Sequence, residues 1–250
     1  MAETTRRRPS TARSRATTRR STRPAKPPAK KVLAIDIGGH HVKILATGRR
    51  AKRQADSGPS MTAQQMVDDV KELAQGWDFD VVAMGYPGPV THNRPLLEPA
   101  NLGGGWCGFD FEGAFGKPVK IVNDALMQAI GSYEGGRMLF LGLGTGLGSA
   151  MIVDSVGQPM ELAHLPYKKG KTFEDYLGDA ARRRLGKKRW RKQVFAVVEK
   201  LQAALEPDYI VIGGGGVEKL DQLPPGCRRG DNANAFKGGF RLWQEGGVVV

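Results

Sequence analysis

The stretch IDIGGHHVK, Ile35 to Lys43, sets an aspartate and two glycines between an apolar run and an alternating one. That combination suits phosphate. Glycine lets main-chain N–H groups approach an anion, and a carboxylate beside the turn can hold Mg2+ or accept a proton. Two more glycine turns follow apolar runs, Gly142 to Gly148 (GLGTGLG) and Gly213 to Gly216. Between the first two stands Asn123-Asp124, at the end of VKIV (119–122). Asp124 reads either as the base for an attacking hydroxyl or as the N-cap of the helix after it. In ELAH, His164 reads either as a ligand or as a hydrogen-bonded core histidine. Adjacent residues on a strand point to opposite faces, so His40 and His41 make a poor metal pair. His40 can instead donate a hydrogen bond to phosphate, more strongly when protonated.

Other phosphate-binding signatures are excluded. The chain has no G-x-x-x-x-G-K-[ST] loop. GLGTGLG satisfies G-x-G-x-x-G from Gly142, but the strand-like SAMIVD follows, where a dinucleotide site needs a helix N-terminus.

Elements that position these groups follow from periodicity. VLAIDI (32–37) and HVKILAT (41–47) read as paired strands, with Val42 and Ile44 facing away from His41 and Lys43. Thr62 opens a helix with Gln65 at the capping-box position and Met66, Val70, Leu73 and Ala74 as its apolar stripe. DVVAMG (80–85) and VKIV are buried strands. The second half restarts with strands flanking 141–148, then a helix from Thr172 through Arg184, a longer one ended by Pro207, a strand running into a glycine turn over 209–216 and a last helix over 232–243. Strand pairs open both halves and strand–helix alternation follows, which predicts an α/β chain of two similar lobes with ligands at the carboxyl ends of strands.

Composition narrows the class. Ten of the thirteen net positive charges lie in residues 1–31, which hold eleven Lys/Arg against one acid, Glu3. That tail has too few apolar side chains to order itself. It is suited to polyanions or targeting, although it shows neither a helical apolar face nor a secretory core. No apolar run approaches the roughly 18–20 residues of a membrane span. The two cysteines, Cys107 and Cys227, make neither a disulfide framework nor a C-x-x-C zinc site. A cytoplasmic location is expected.

DIGG at 36–39, NDA at 123–125, LGTGLGSA at 143–150, ELAH at 161–164 and IGGGG at 212–216 occur in the order and spacing of the ROK sugar kinases, which the chain resembles over about residues 32–245. PYKKGKTFEDYLG, LGKKRWRK and LPPGCRRGDNANAFKGGFRLW look like the bacterial polyphosphate glucokinase branch. The resemblance implies a hexokinase/actin-like (ribonuclease H-like) fold with a cleft between two lobes. These are an N-terminal lobe over 32–125 and a C-terminal lobe over 126–250, whose last helix is free to pack back on the first. It also implies transfer of a phosphoryl group from polyphosphate, with ATP as a second donor, to the 6-hydroxyl of glucose. Asp124 would be the base. Asn101, Asn123, Glu161, His164 and Glu174 would hold the sugar, Glu174 on resemblance alone. Asp36 would act on Mg2+ through water. Gly38, Gly39, His40, Lys43, Gly144, Thr145 and Gly146 would bind donor phosphates, and Gly213, Gly214 and Gly215 would lie near a nucleotide base or its equivalent. A homodimer is also implied.

Two departures matter. LPYKKGKTFE replaces the Cys-rich motif many members carry after the histidine, so no zinc is expected. His40 replaces the usual Thr or Ser, which removes a hydroxyl from beside the phosphate. It also keeps open a kinase-like sugar-binding or regulatory protein with lost or altered activity. The basic cluster of Arg182, Arg183, Arg184, Lys187, Lys188, Arg189, Arg191 and Lys192 reads either as a solvated helix face or as a polyphosphate track, with Lys168, Lys169 and Lys171 extending it. A nucleic-acid-binding protein is the weakest reading. The tail has no periodicity for a helix-turn-helix, so only nonspecific contact is expected from it.

Overall fold

The computed structural model describes residues 1–2 and 29–250. The expectation of an unordered basic tail falls on residues outside the described ones.

The first half comprises β1 (Val32–Ile37), β2 (His41–Ala46), β3 (Arg53–Asp56), α1 (Ala63–Leu73), β4 (Val81–Tyr86), a small hairpin of β5 (Val90–Thr91) and β6 (Arg94–Pro95), α2 (Phe111–Phe115), β7 (Val119–Asn123) and α3 (Asp124–Ser132). The second comprises β8 (Arg137–Leu143), β9 (Leu147–Val153), β10 (Val156–Met160), the hairpin β11 (Pro166–Lys168) and β12 (Lys171–Thr172), α4 (Glu174–Leu177), α5 (Asp179–Leu185), α6 (Lys187–Leu205), β13 (Tyr209–Gly213), β14 (Cys227–Arg229) and α7 (Asn234–Arg241). The sheets run β3-β2-β1-β4-β7 and β10-β9-β8-β13-β14. In each, an antiparallel hairpin leads into parallel strands, so one strand order is used twice.

Three apolar clusters hold these layers. One lies between the first sheet and α1 and α2, and another between the second sheet and α4 to α6. The third lies between the two sheets, where Val32, Ala83 and Val122 meet Met138, Phe140 and Ile152 around α3 and α7. The two helices cross with main chains in contact. A Cβ on Gly131 would strike the Asn234 carbonyl and one on Gly238 the Met127 carbonyl. Arg241 then closes the end of α3 by donating to Ile130 O at 2.7 Å and Tyr133 O at 2.9 Å. The side chain of Trp243 donates to Val82 O, tying the end of α7 to the first sheet.

The structure corrects three element expectations. The helix expected over 172–184 is two helices, because Gly178 is extended (φ −63°, ψ 166°). A Cβ there would lie 2.7 Å from Thr145 O, so the chain straightens where it passes the second glycine turn. The last helix is shorter than 232–243, with Leu242 and Trp243 in a turn beyond it. The edge strands β3 (RQAD) and β10 (VGQPM) were not expected, since neither carries an apolar alternation.

Candidate active site

Three neighbouring parallel strands end together. Asp36 on β1 lies opposite Gly85 on β4, and Gly85 opposite Val122 on β7, one residue before Asn123. Asn123 is the N-cap of α3: its Oδ1 accepts from Leu126 N at 3.1 Å and its Nδ2 donates to Gly88 O at 3.1 Å. The capping alternative considered for Asp124 therefore belongs to its neighbour. Asp124 is the first helical residue, and its Oδ1 accepts from Ala125 N at 2.7 Å. Gly85 lies close under α3, since a Cβ there would press on the flexible Met127 methyl and stand 3.5 Å from Asp124 Cα.

Burial pushes the Asp124 carboxyl up to about 7, the charges of Asp36 and Glu161 add to the rise, and the Ala125 amide opposes it. Burial also raises Asp36, against the Lys43 ammonium 3.7 Å away on the facing strand. The field around Asp124 thus joins Asp36 of the first lobe to Glu161 of the second. Two partly buried carboxylates that repel each other fit a hard divalent cation such as Mg2+. That ion takes few protein carboxylates and leaves its other positions to water and phosphate. Among the described residues no cage of three or more His, Cys, Asp or Glu comes together.

The first glycine turn is tight, with Gly38 N donating to His41 O at 3.0 Å. Asn101 lies against it, since a Cβ on Gly39 would sit 3.1 Å from that of Asn101. The Asn101 loop is held by Glu98, whose carboxylate accepts from Trp106 N and Cys107 N. His40 is exposed. His41 instead meets Asp56 on β3, with Nδ1 and Oδ1 3.1 Å apart.

The second turn is the β8–β9 hairpin, with Gly144 N donating to Gly146 O and both Gly144 and Thr145 carbonyls taken by Asp179 N. Glu174 occupies the space beside Gly146 and accepts from Leu147 N at 3.3 Å. A residue expected at the sugar thereby touches the turn expected to hold donor phosphate. The third turn packs on the second. Gly213 pairs with Gly142, and Gly214, at φ +76°, lies on the Leu143 main chain with no room for a Cβ.

ELAH forms a single 3-10 turn at the surface. The His164 side chain is 73% exposed, which excludes the core-histidine reading, and its Nε2 is 3.7 Å from Glu161 Oε2. Buried Ser149 holds the turn: its Oγ donates to Met160 O at 2.6 Å and accepts from Leu162 N at 3.2 Å, on either side of Glu161. Ser149 lies within LGTGLGSA, which assigns it no role, and Glu98 lies in no motif; their contacts with the main chain reveal them.

The ROK family matches residues 32–159, about half of the chain and the part that holds Asp36, the first two glycine turns and Asp124. The chain belongs to the ROK family.

This ROK protein is similar to the polyphosphate glucokinase of Mycobacterium tuberculosis (strain ATCC 25177 / H37Ra), at 28% identity over 217 residues covering 77% of this chain and 80% of that protein. Its fold is similar to that of the inorganic polyphosphate/ATP-glucomannokinase from Arthrobacter sp. strain KM, with TM-score 0.73, 22% identity, and 84% and 97% of the two chains covered. It is similar also to a ROK family glucokinase from Streptomyces griseus in complex with glucose and AMPPNP, with TM-score 0.69, 17% identity, and 85% and 99% covered. The architecture is the two-lobed actin-like/hexokinase fold.

The basic cluster of this ROK chain divides into engaged and unengaged members. Arg182 and Arg183 bind Asp179, and Arg184 donates to Asp175 O. Arg191 is held by the Asp221 carboxylate and by Lys219 O, which withdraws it from the candidate track. Lys187, Lys188, Arg189 and Lys192 are exposed and have no ion pair among the described residues. Trp190 packs inward and donates to Leu177 O. The helix α5, whose first amide donates to the second turn, carries Arg182 to Arg184 and leads to the four unengaged cations on α6.

Proposed function

We propose that the chain is a sugar kinase that transfers a phosphoryl group from polyphosphate, with ATP as a second donor, to the 6-hydroxyl of glucose. The observation that carries this reading is Asp124, a carboxylate held at the tip of α3 with its pKa pushed up to about 7, beside the glycine turns. In the proposed reaction Asp124 accepts the proton of the 6-hydroxyl. The hydroxyl oxygen bonds to the terminal phosphorus, and the bond to the leaving phosphate breaks with its electrons on the leaving oxygen. Phosphoryl transfer depends more on positioning and charge neutralisation than on a strong base, so one aspartate serves. Glu161, His164, Asn101, Asn123 and Glu174 hold the other hydroxyls. The amides of Gly39, Thr145 and Gly146 face donor phosphates. Asp36 would hold Mg2+, which supplies charge neutralisation on the phosphates when bound. Closure of the lobes excludes water and limits hydrolysis.

Similarity to proteins named polyphosphate glucokinase and polyphosphate/ATP-glucomannokinase supports the choice of donor and acceptor. The unpaired cations Lys187, Lys188, Arg189 and Lys192 support a polyphosphate track. The test is purified protein with glucose and, in parallel, polyphosphate or ATP, reading glucose 6-phosphate. Formation with polyphosphate is expected. No product with either donor overturns the reading in favour of a sugar-binding protein without transfer activity, the alternative that His40 raises.

A further inference from the structure

We infer that Ser57 is a positioning residue for the donor, one that fixes the main chain of the first phosphate turn from outside it. Ser57 follows the edge strand β3, which pairs with β2 so that Asp56 lies opposite His41. Two bonds join it to the turn: its Oγ donates to Gly38 O at 2.5 Å, and its N–H donates to His40 O at 2.9 Å. Its side chain is the one hydroxyl bonded to the Gly38–His40 segment among the described residues. No side chain of the turn itself does this work, since Gly38 and Gly39 have none and His40 is exposed.

Peptide geometry gives the consequence. Every peptide bond described is trans, so the carbonyl and N–H of one peptide plane point in opposite directions. With the Gly38 carbonyl drawn to Ser57, the N–H of Gly39 points away from Ser57. Neither the Gly39 nor the His40 amide has an acceptor among the described residues. An anion is attracted by N–H groups and repelled by carbonyl oxygens. Ser57 therefore sets which face of the turn the donor phosphate meets, and does so without touching the donor.

The inference rests on the proposed kinase reading, and binding separates the two. Tripolyphosphate binding is measured by calorimetry beside the steady-state KM for polyphosphate, ATP and glucose, in the full chain. Ser57→Ala is expected to weaken tripolyphosphate binding and raise the KM of both donors roughly three- to tenfold, the effect of one lost hydrogen bond, with the KM for glucose unchanged. Ser57→Thr is expected to restore both. Should Ser57→Ala not fold, Ser57→Cys, which keeps the size but donates weakly, is expected to show the same donor-selective loss. If the wild type binds tripolyphosphate but phosphorylates nothing, and Ser57→Ala loses that binding, the kinase reading falls and the positioning role stands. Unchanged tripolyphosphate affinity in Ser57→Ala, or equal rises in donor and glucose KM, overturns the inference.

Discussion

At the scale of single residues, the chemistry turns on how a carboxylate is kept near neutrality. Asp124 is pushed up to about 7 by burial and by Asp36, so it ionises within the physiological range. The acidic limb of kcat/KM against pH is therefore expected near 7, and Asp36→Asn is expected to move it to lower pH by removing a negative neighbour. A limb near 4 would contradict the assignment. The same shift has a stability consequence. A folded-state pKa above the unfolded value means that the native protein binds more protons between about pH 4 and 7, so stability falls as pH rises through that window. Asp124→Asn is accordingly expected to be more stable than the wild type at pH 8, by about 1–2 kcal/mol, with little difference at pH 4, as read by urea denaturation. His40→Thr is expected to retain or raise the use of ATP, since it returns a hydroxyl to an exposed position. Loss of activity with every donor would make His40 itself a required ligand.

At the scale of elements, α3 is the piece on which both lobes depend. Its first turn presents Asn123 and Asp124, its flanks enter the cluster shared by the two sheets, and its last carbonyls are closed by Arg241 from α7. The α3–α7 crossing needs glycine because the main chains touch. Gly238→Ala is expected to cost about 1–3 kcal/mol in urea denaturation and to lower kcat along with stability. An unchanged midpoint would show that the helices can separate. How legible such elements were in the sequence depended on whether a local pattern existed. The capping box at Thr62 and Gln65, the stripe of α6 and the paired strands around Gly38 were readable because periodicity and caps are local. The break at Gly178 was not, because its cause is the distant Thr145 carbonyl. The edge strands β3 and β10 were not, because half their residues face solvent and no alternation marks them. Within the site, the glycine turns and Asp124 stood out by residue type. Ser57, Ser149 and Glu98 are polar residues whose meaning lies in contacts with main chain far along the sequence.

At the scale of the whole molecule, two sheets share one strand order, and the charges of Asp36 and Glu161 both act on Asp124. The unengaged cations Lys187, Lys188, Arg189 and Lys192 lie on α6, the helix after the one that meets the second turn. Converting Lys187, Lys188, Arg189 and Lys192 to Gln is expected to raise the KM for polyphosphate roughly tenfold at low salt and to flatten its salt dependence, with ATP little affected. Equal effects on both donors would reduce the cluster to a solvated face. Removal of residues 1–31, measured the same way, assigns any share the basic tail has in polyphosphate affinity. The most direct measurement is glucose 6-phosphate formation by Asp124→Asn beside the wild type at pH 8, with glucose binding followed in the same samples. The account predicts that the variant binds glucose and loses phosphoryl transfer by a factor of roughly 100 or more, the worth of a positioned base. Transfer at a rate near that of the wild type would contradict it.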